Sequence, residues 1–256
     1  MQNNRQNQIY EYIRQQKTVR VTDLMERYHV ADMTIRRDLI KLEELGLIAR
    51  FHGGANLLGD PGSESDFSTR VIENLRAKTT IAQKAAGSIT DGMTIYIDGS
   101  TTCHELVKRL PADKHLTVFT DSVEALIQLR HKLDNLSVFV IGGELSRDLN
   151  TMDGHIAVET VQKIYVDACF FSCGGFSPDG ITNTGIIGTQ VKKIILKHAA
   201  KNILLADSSK YDRHGLCMLS DWKTVGRLIT DDALPKQAAR DLAAQGVDIN
   251  IAKAGN

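Results

Sequence analysis

Several features that would assign the chain to a membrane or to a secreted class are missing from its sequence. No uninterrupted apolar run approaches the ~18 residues that a membrane-spanning helix needs. The N-terminal residues 1–8 are polar and lack the apolar stretch of a signal peptide. We therefore expect a cytoplasmic protein with no membrane partner.

Sites for metals and common cofactors are equally hard to find. The four cysteines show neither CxxC spacing nor nearby paired histidines, so we expect reduced residues of a core or pocket: Cys103, Cys169, Cys173 and Cys217. No GxGxxG sequence opens a helix and no GxxxxGK[ST] sequence occurs, which disfavours nicotinamide dinucleotides and P-loop ATP chemistry. The prediction is no cofactor and no metal.

Charge of one sign is also not in excess. Lysine plus arginine and aspartate plus glutamate both number 31, so the net charge is zero. A protein that coats nucleic acid along its whole surface needs a large positive charge. Any contact with DNA is therefore expected to be local.

Residues 1–55 carry the pattern of a winged helix-turn-helix. Apolar residues recur at helical spacing in three segments: Ile9 and Ile13; Val21, Leu24, Met25 and Tyr28; Ile35, Leu39 and Leu42. Only residues 28–31 separate the last two, which favours a helix-turn-helix. Asp32 is expected to cap the third helix, which should end near Gly46. Residues 47–55 then predict a strand, a glycine turn and a returning strand.

A linker and a second domain follow. Residues 56–69 are rich in turn residues and contain Pro61, so we predict a linker there and a second domain at 70–256. In that domain, short apolar runs alternate with helical segments, which indicates an α/β fold with a Rossmann-like parallel sheet covered on both faces. Ligands of such sheets bind at the carboxyl ends of the strands.

The third helix presents a polar stripe opposite its apolar one. Arginine forks onto guanine, methionine contacts a thymine methyl, and lysine or threonine reaches phosphate. The alternative is a solvated helix face, but the predicted wing supplies a second contact with phosphate or the minor groove. The predicted DNA contacts are Met33, Thr34, Arg36, Arg37, Lys41, Arg50, His52 and Gly53.

A candidate anion site follows the first apolar run of the second domain. Residues 98–102 combine a glycine turn, three hydroxyls and a helix start, which suits a phosphate. The alternative is simple helix capping, although polar groups after three other strands would converge on the same crevice. Lys210 supplies a cation unless it is an ordinary surface lysine, and Gly174 is equally consistent with a plain turn. The predicted effector-binding residues are Asp98, Gly99, Ser100, Thr101, Thr102, Ser122, Gly143, Glu144, Gly174, Asp207 and Lys210.

Two long motifs in the first domain resemble the DeoR family of bacterial sugar-metabolism repressors. They are Thr34-Ile35-Arg36-Arg37-Asp38-Leu39 with Leu42-Glu43-Glu44-Leu45-Gly46, and Arg50-Phe51-His52-Gly53-Gly54-Ala55. That family usually has a serine just before this helix, where this chain has Val30-Ala31-Asp32. Asp32 lacks the hydroxyl that would contact phosphate, and its charge would repel that group.

The second domain is similar to the DeoR-family sensor domain, which resembles the ribose-5-phosphate isomerase fold. The resemblance implies a phosphorylated sugar or a related metabolite as effector. Two departures stand out: Thr120-Asp121-Ser122 replaces the family's usual Thr-Asn-Ser, and Gly188-Thr189-Gln190 precedes Val191-Lys192 where an acidic residue is common. The identity of the effector therefore does not transfer from a relative.

Two rival functions remain open at this point. A sugar-phosphate isomerase fused to a DNA-binding head could use Asp98, Asp207 and Lys210 for acid and base chemistry, and fold does not decide function. A pure protein-interaction module leaves residues 34–54 unexplained. We therefore predict a non-enzymatic transcriptional repressor of a carbohydrate-metabolism operon, with double-stranded operator DNA as a partner. Residues 1–55 carry nine basic against seven acidic residues, so tight binding should need a homo-oligomer.

Overall fold

The computed structural model describes residues 2–44, 48–51, 53–57, 67–146 and 150–253. The chain divides into two compact units, residues 1–70 and 71–256, which are described separately below. Within the described residues, no helix combines the length and the apolar character needed to cross a membrane.

The first unit contains three helices and a three-stranded antiparallel sheet, as a winged helix-turn-helix requires. The elements are α1 (Gln2–Gln16), β1 (Thr18–Arg20), α2 (Val21–Tyr28), α3 (Asp32–Glu44), β2 (Ile48–Phe51) and β3 (Gly54–Leu57). A further helix, α4 (Phe67–Ile72), includes residues on both sides of the division after Arg70. The predicted apolar stripes form one core in which Ile13, Leu24 and Ile35 are fully buried. Strand β1, which the sequence analysis did not predict, pairs with β3, so the sheet order is β1-β3-β2.

The start of α3 differs from the expectation. Asp32 does not cap this helix: it is the first helical residue, and the backbone N–H groups of Thr34 and Ile35 donate to the carbonyl of Ala31 instead. The predicted helix end at Gly46 lies outside the described residues. Strand β3 includes residues 56 and 57 of the predicted linker, of which residues 58–66 also lie outside the described part. The domain limits 1–55, 56–69 and 70–256 stay a prediction.

The second unit is an α/β domain around a seven-stranded sheet in the order β15-β14-β12-β9-β4-β5-β6, with every pair parallel. Its strands are β4 (Thr94–Ile97), β5 (Leu116–Thr120), β6 (Leu136–Val140), β9 (Ala168–Phe171), β12 (Asn202–Leu205), β14 (Arg227–Asp231) and β15 (Asp248–Ala252). Its helices are α5 (Leu75–Ala86), α6 (Thr101–Lys108), α7 (Val123–Leu129), α8 (His155–Val161), α9 (Ile187–His198), α10 (Trp222–Val225) and α11 (Lys236–Ala244).

Alternate residues of the central strands enter two separate apolar cores. On β4, Ile95 and Ile97 face one core and Tyr96 the other. On β9, Phe170 and Phe171 divide in the same way. A strand buried on both faces has no polar alternation, which explains the continuous apolar runs. The predicted parallel sheet with helices on both faces is confirmed.

Short accessory strands surround the sheet. They are β7 (Glu144–Leu145), β8 (Met152–Asp153), β10 (Gly175–Ser177), β11 (Gly180–Asn183) and β13 (Cys217–Ser220). The sequence analysis did not predict them. From β4 the chain moves outward through β5 and β6, then returns to place β9 on the other side of β4. This reversal creates a switch point between β4 and β9, where open α/β sheets bind their ligands.

Candidate functional sites

Helix α3 has an outward stripe of the predicted composition. Met33 is 69% exposed, and Arg37 and Lys41 are exposed one and two turns further along. Arg37 and Lys41 make no hydrogen bond or ion pair with the described residues, whereas Thr34 is half-buried beside the stripe. Two cations without internal partners are therefore available for an external acceptor.

Buried Asp38 fixes this helix to the rest of the unit. Its carboxylate accepts hydrogen bonds from Arg5 Nε at 2.7 Å and from Gln6 Nε2 at 2.9 Å, both on α1. Asp38 is 3% exposed, so this contact joins α1 to α3 inside the fold. The acidic residue next to Arg36-Arg37 is thus structural, and it leaves the outward stripe positively charged.

Two further arginines of the predicted DNA surface are paired with carboxylates. Arg36 Nε donates to Asp32 on the same helix at 2.5 Å. Arg50 Nε donates to Glu43 at 2.7 Å, and the backbone N–H of Arg50 donates to the same carboxylate at 3.0 Å. The second pair attaches β2 to α3. Each arginine keeps its remaining guanidinium N–H groups for another acceptor.

The tip of the wing is a glycine turn. Gly53 has a φ of +95° with no neighbour near the Cβ position, and its carbonyl accepts from the N–H of Val21 at 2.8 Å. A positive φ there favours glycine. The predicted contact His52 lies outside the described residues.

In the second unit, Asp98 holds three segments together at the switch point. Its carboxylate accepts from the backbone N–H of Ser100 at 3.0 Å, from that of Ser172 at 2.9 Å, and from Lys192 Nζ at 2.8 Å. Burial by itself would raise the pKa of Asp98, but the charge and hydrogen bonds of Lys192, with help from Ser100 and Ser172, hold that pKa below its ordinary value. Asp98 is thus an ionised clamp between β4, β9 and α9.

The turn after β4 leads directly into helix α6. Ser100 is the N-cap residue, and its hydroxyl accepts the N–H of Cys103 at 3.2 Å. Thr101 and Thr102, at the first two positions of the helix, are buried. The first turn of a helix leaves N–H groups without intrahelical acceptors. Capping therefore accounts for Ser100, while the N–H groups of Thr101 and Thr102 have no hydrogen-bond acceptor among the described residues.

Gly99 lies against the loop that follows strand β5. A Cβ at position 99 would be 2.1 Å from Thr151 Cγ2 and 3.4 Å from Ser122 Cβ, so only glycine fits. Ser122 caps α7 by accepting the N–H of Ala125 at 3.1 Å. The structure thus brings Gly99 and Ser122 together, with Thr151 above them.

Gly143 and Glu144 follow strand β6 on the same side. Gly143 has a φ of +117°, and a Cβ there would be 2.2 Å from the carbonyl oxygen of Asp153. Glu144 is exposed, and it lies opposite Asp153 in the backbone register of the antiparallel strands β7 and β8. Close backbone packing therefore explains Gly143, and Glu144 lies at an open edge.

Gly174 and Asp207 have local structural partners. A Cβ at Gly174 would be 2.8 Å from Thr184 Cγ2, and the N–H of Gly174 donates to Thr182 O at 3.0 Å, which supports the turn interpretation. The Oδ1 of Asp207 accepts from the N–H of Ser209 at 3.1 Å and from Asn74 Nδ2 at 3.2 Å. Asp207 therefore organises the turn that carries Lys210.

Lys210 and Lys192 lie on different elements, the 3-10 turn after β12 and helix α9. Lys210 ends the 3-10 turn Ser208–Lys210 and is half-buried. Burial raises the pKa of the Cys173 thiol to about 12, and the charges of Lys210 and then of Lys192 oppose that rise. Both cations therefore act on the same residue, which follows β9.

A cluster of carboxylates, Asp98, Asp121 and Asp153, lies near these strand ends. Asp121 follows β5 and is 2% exposed, and its Oδ1 has no hydrogen-bond partner among the described residues. Burial and the charge of Asp98 raise the pKa of Asp121 to about 7. Burial also raises the pKa of Asp153. This cluster therefore contains two carboxyls that resist ionisation, Asp121 and Asp153, and a third, Asp98, whose ionised form is stabilised.

Residue patterns missed several members of this site. Lys192 lies 2.8 Å from Asp98, yet the sequence analysis noted it only within a helix motif. Asp153 and Asn74 were not considered because neither follows a strand of the main sheet. Among the described residues, no group of three or more His, Cys, Asp or Glu side chains is arranged to hold a metal.

The two units match two models of one family. The DeoR-like helix-turn-helix domain matches residues 5–59, and the DeoR C terminal sensor domain matches residues 73–232, more than half of the chain. The HTH-type transcriptional regulator GolR of Listeria innocua is 32% identical over 97% of this chain and 98% of its own length. The uncharacterised HTH-type transcriptional regulator YulB of Bacillus subtilis is 35% identical over 96% of this chain and 95% of its own.

Solved structures give a weaker likeness. The ribose 5-phosphate isomerase of Methanocaldococcus jannaschii is 17% identical, and the alignment covers 54% of this chain and 55% of that one with a TM-score of 0.39. A score this low supports no conclusion about chemistry. The relatives that span the whole chain are named as regulators, which answers the rival enzyme hypothesis. With both domains matched in order, the chain belongs to the DeoR family of DNA-binding transcriptional regulators.

Proposed function

We propose that this regulator represses a carbohydrate-metabolism operon and releases its operator when a phosphorylated sugar binds the second unit. The observation that carries the proposal is the turn at residues 98–102. It places a glycine, threonine hydroxyls and the N-terminus of α6 at the switch point of a parallel sheet. Such a helix start attracts a dianion.

The DNA side of the proposal is a surface on α3 and the wing. Arg37 and Lys41 are exposed cations without partners among the described residues, and Met33 projects beside them. We assign Arg37 to a guanine and Lys41 to a phosphate. Arg36 and Arg50 lie beside this stripe with Thr34, and Gly53 at the wing tip allows close approach to the DNA backbone. His52 is included from the sequence alone.

The effector side is a cradle around the same turn. The N–H groups of Thr101 and Thr102 and their hydroxyls are donors for phosphate oxygens, and Lys192 and Lys210 supply positive charge. Asp98 contributes by fixing the turn and Lys192, since its carboxylate accepts from Ser100, Ser172 and Lys192 within the unit. Ser122, Gly143, Glu144, Gly174 and Asp207 form the remainder of the proposed site.

A thermal-shift screen of the full chain against paired free and phosphorylated sugars tests this assignment. A ligand that binds only the folded protein stabilises it by about 2.7 kcal/mol at a hundred times its Kd. We expect at least one phosphorylated sugar to raise the melting temperature and to release operator DNA, while its unphosphorylated partner does neither. Equal responses to the free and the phosphorylated sugar would contradict the proposed phosphate-binding site.

Substitutions in the cradle connect the response to the turn. Replacing both Thr101 and Thr102 by valine removes two hydroxyls and leaves the Ser100 cap in place, so we expect at least about tenfold weaker effector binding with normal operator binding. Thr80→Val is the matched control, because its hydroxyl bonds to Arg76 O within α5. An unchanged effector affinity in the double variant would contradict the proposed cradle.

A further inference from the structure

We propose that Asp32 is a specificity-determining residue that holds Arg36 for one base pair and weakens binding to unrelated DNA. The inference rests on the proposed use of α3 to read the operator.

The geometry of the pair fits a positioning role. Asp32 is the first residue of α3, and its Oδ1 accepts from Arg36 Nε one helical turn later. The two side chains are 44% and 47% exposed, so both face solvent at the start of the helix. The contact occupies Nε and leaves the two terminal nitrogens of Arg36 for an acceptor on DNA. In helix-turn-helix proteins, the first residues of this helix are the ones that contact base edges.

The other acidic contacts of α3 have a different character. Asp38 is buried and joins α1 to α3, and Glu43 holds both the side chain and the backbone of Arg50. Asp32 and Arg36 instead belong to a single helix, and their ion pair joins no other element among the described residues. An exposed ion pair of this spacing contributes little to stability. The pair therefore adds little to the fold, and its position favours a role at the DNA surface.

Two physical effects then act on specificity. An unrestrained arginine loses rotamer freedom when it is fixed, so the Arg36 guanidinium, which Asp32 already holds, loses less when it contacts its base. The carboxylate also repels phosphate, which disfavours every register in which Arg36 would contact only the backbone. The first effect strengthens the complex with the correct sequence, and the second weakens complexes with incorrect sequences. Both therefore widen the difference between the two affinities, and that difference sets the discrimination.

The test uses the full chain and an operator selected from a random-sequence DNA pool. Anisotropy titrations compare this operator, its single-base-pair variants and a scrambled duplex at several salt concentrations. The variants are Asp32→Ala, Arg36→Ala and their combination. Asp23→Ala is the control, because Asp23 is an exposed residue of α2 and its loss changes the net charge equally.

We expect Asp32→Ala to lose about tenfold of the discrimination at one base pair. It should also bind scrambled duplex several-fold more tightly, with the salt slope steeper by about one. Arg36→Ala should lose discrimination at the same base pair, and the double variant should lose no more there. Asp23→Ala should leave discrimination intact.

Three results would overturn the inference. The first is an Asp32→Ala protein with full discrimination, the second is additive loss in the double variant, and the third is an Asp23→Ala protein that reproduces both effects. Failure of the underlying assignment looks different: if α3 does not read DNA, Arg37→Ala and Lys41→Ala also leave operator binding unchanged.

Discussion

The hydrogen-bond partners of Asp98 change the interpretation of this residue from a ligand contact to a structural contact. The sequence places it where sugar hydroxyls would be bound, but its carboxylate accepts from Ser100, Ser172 and Lys192. Its side chain is fully buried, and that of Lys192 is 14% exposed. A buried ion pair of this kind is costly to break because the surviving charge is left uncompensated.

Lys192→Met should therefore destabilise the chain by about 3 kcal/mol, measured by urea unfolding. Lys193→Met is the matched control on the exposed side of the same helix and should cost less than about 0.5 kcal/mol. Adding Asp98→Asn to Lys192→Met should recover part of the loss, because no buried charge remains. Equal effects of the two lysine substitutions would show that the ion pair is unimportant.

Asp121 makes stability depend on pH in a specific direction. Its folded pKa is raised to about 7 by burial and by Asp98. Between about pH 4 and pH 7 the folded protein holds a proton that the unfolded chain has released, so this carboxyl destabilises the fold as the pH rises through that window. The melting-temperature advantage of Asp121→Asn over wild type should thus grow between about pH 4 and pH 7 and stay level above about pH 7.

The exposed Asp179→Asn variant is the control for that comparison, and its difference from wild type should stay flat with pH. A melting-temperature difference for Asp121→Asn that is constant across the range would contradict the raised pKa. The comparison is made variant against wild type so that other titrating groups cancel.

At the scale of elements, hydrophobic periodicity predicted the helices and strands that bury apolar side chains. The three apolar stripes of residues 1–55 lie on helices as the patterns predicted, because most of their apolar residues are buried in one core, with Met25 and Tyr28 partly buried. Apolar runs of the second domain form strands such as β4, β9 and β12, whose apolar residues are nearly all buried. Strands β1, β7 and β8 were missed since they contain two or three residues and no apolar alternation. Lys192 was missed for another reason. Its partner is on a different element, and spacing along the chain carries no information about that contact.

Helix α3 gives a prediction about DNA. Arg37→Ala should weaken operator binding by about 1–3 kcal/mol and relax preference at one base pair, because a bidentate guanine contact is lost. Lys41→Ala should instead weaken binding to all sequences alike. Titrations with the selected operator and its single-base variants distinguish the two. An Arg37→Ala protein that matches wild type would show that the stripe is only a solvated face.

At the scale of the whole molecule, the small positive charge of the DNA-binding unit is too little for tight operator binding by a single copy. Residues 1–55 have a net charge of plus two by composition, and paired half-sites bound by a symmetric oligomer multiply such weak contacts. We expect sedimentation at micromolar concentration to show at least a dimer formed through the second unit. We also expect an operator with two half-sites to bind far more tightly than one half-site. A monomer with undiminished operator affinity would refute this expectation.

The long-range contacts of Asp98 also affect the order in which the chain folds during synthesis. Its acceptor atoms are filled by Ser172, which lies 74 positions later, and by Lys192 further on. Domains emerge from the ribosome amino end first, and long-range contacts form only after the intervening loop has closed. The DNA-reading head therefore exists well before the crevice does. An incompletely translated molecule would therefore carry a folded head without the second unit, and so without the oligomer that tight operator binding is expected to need.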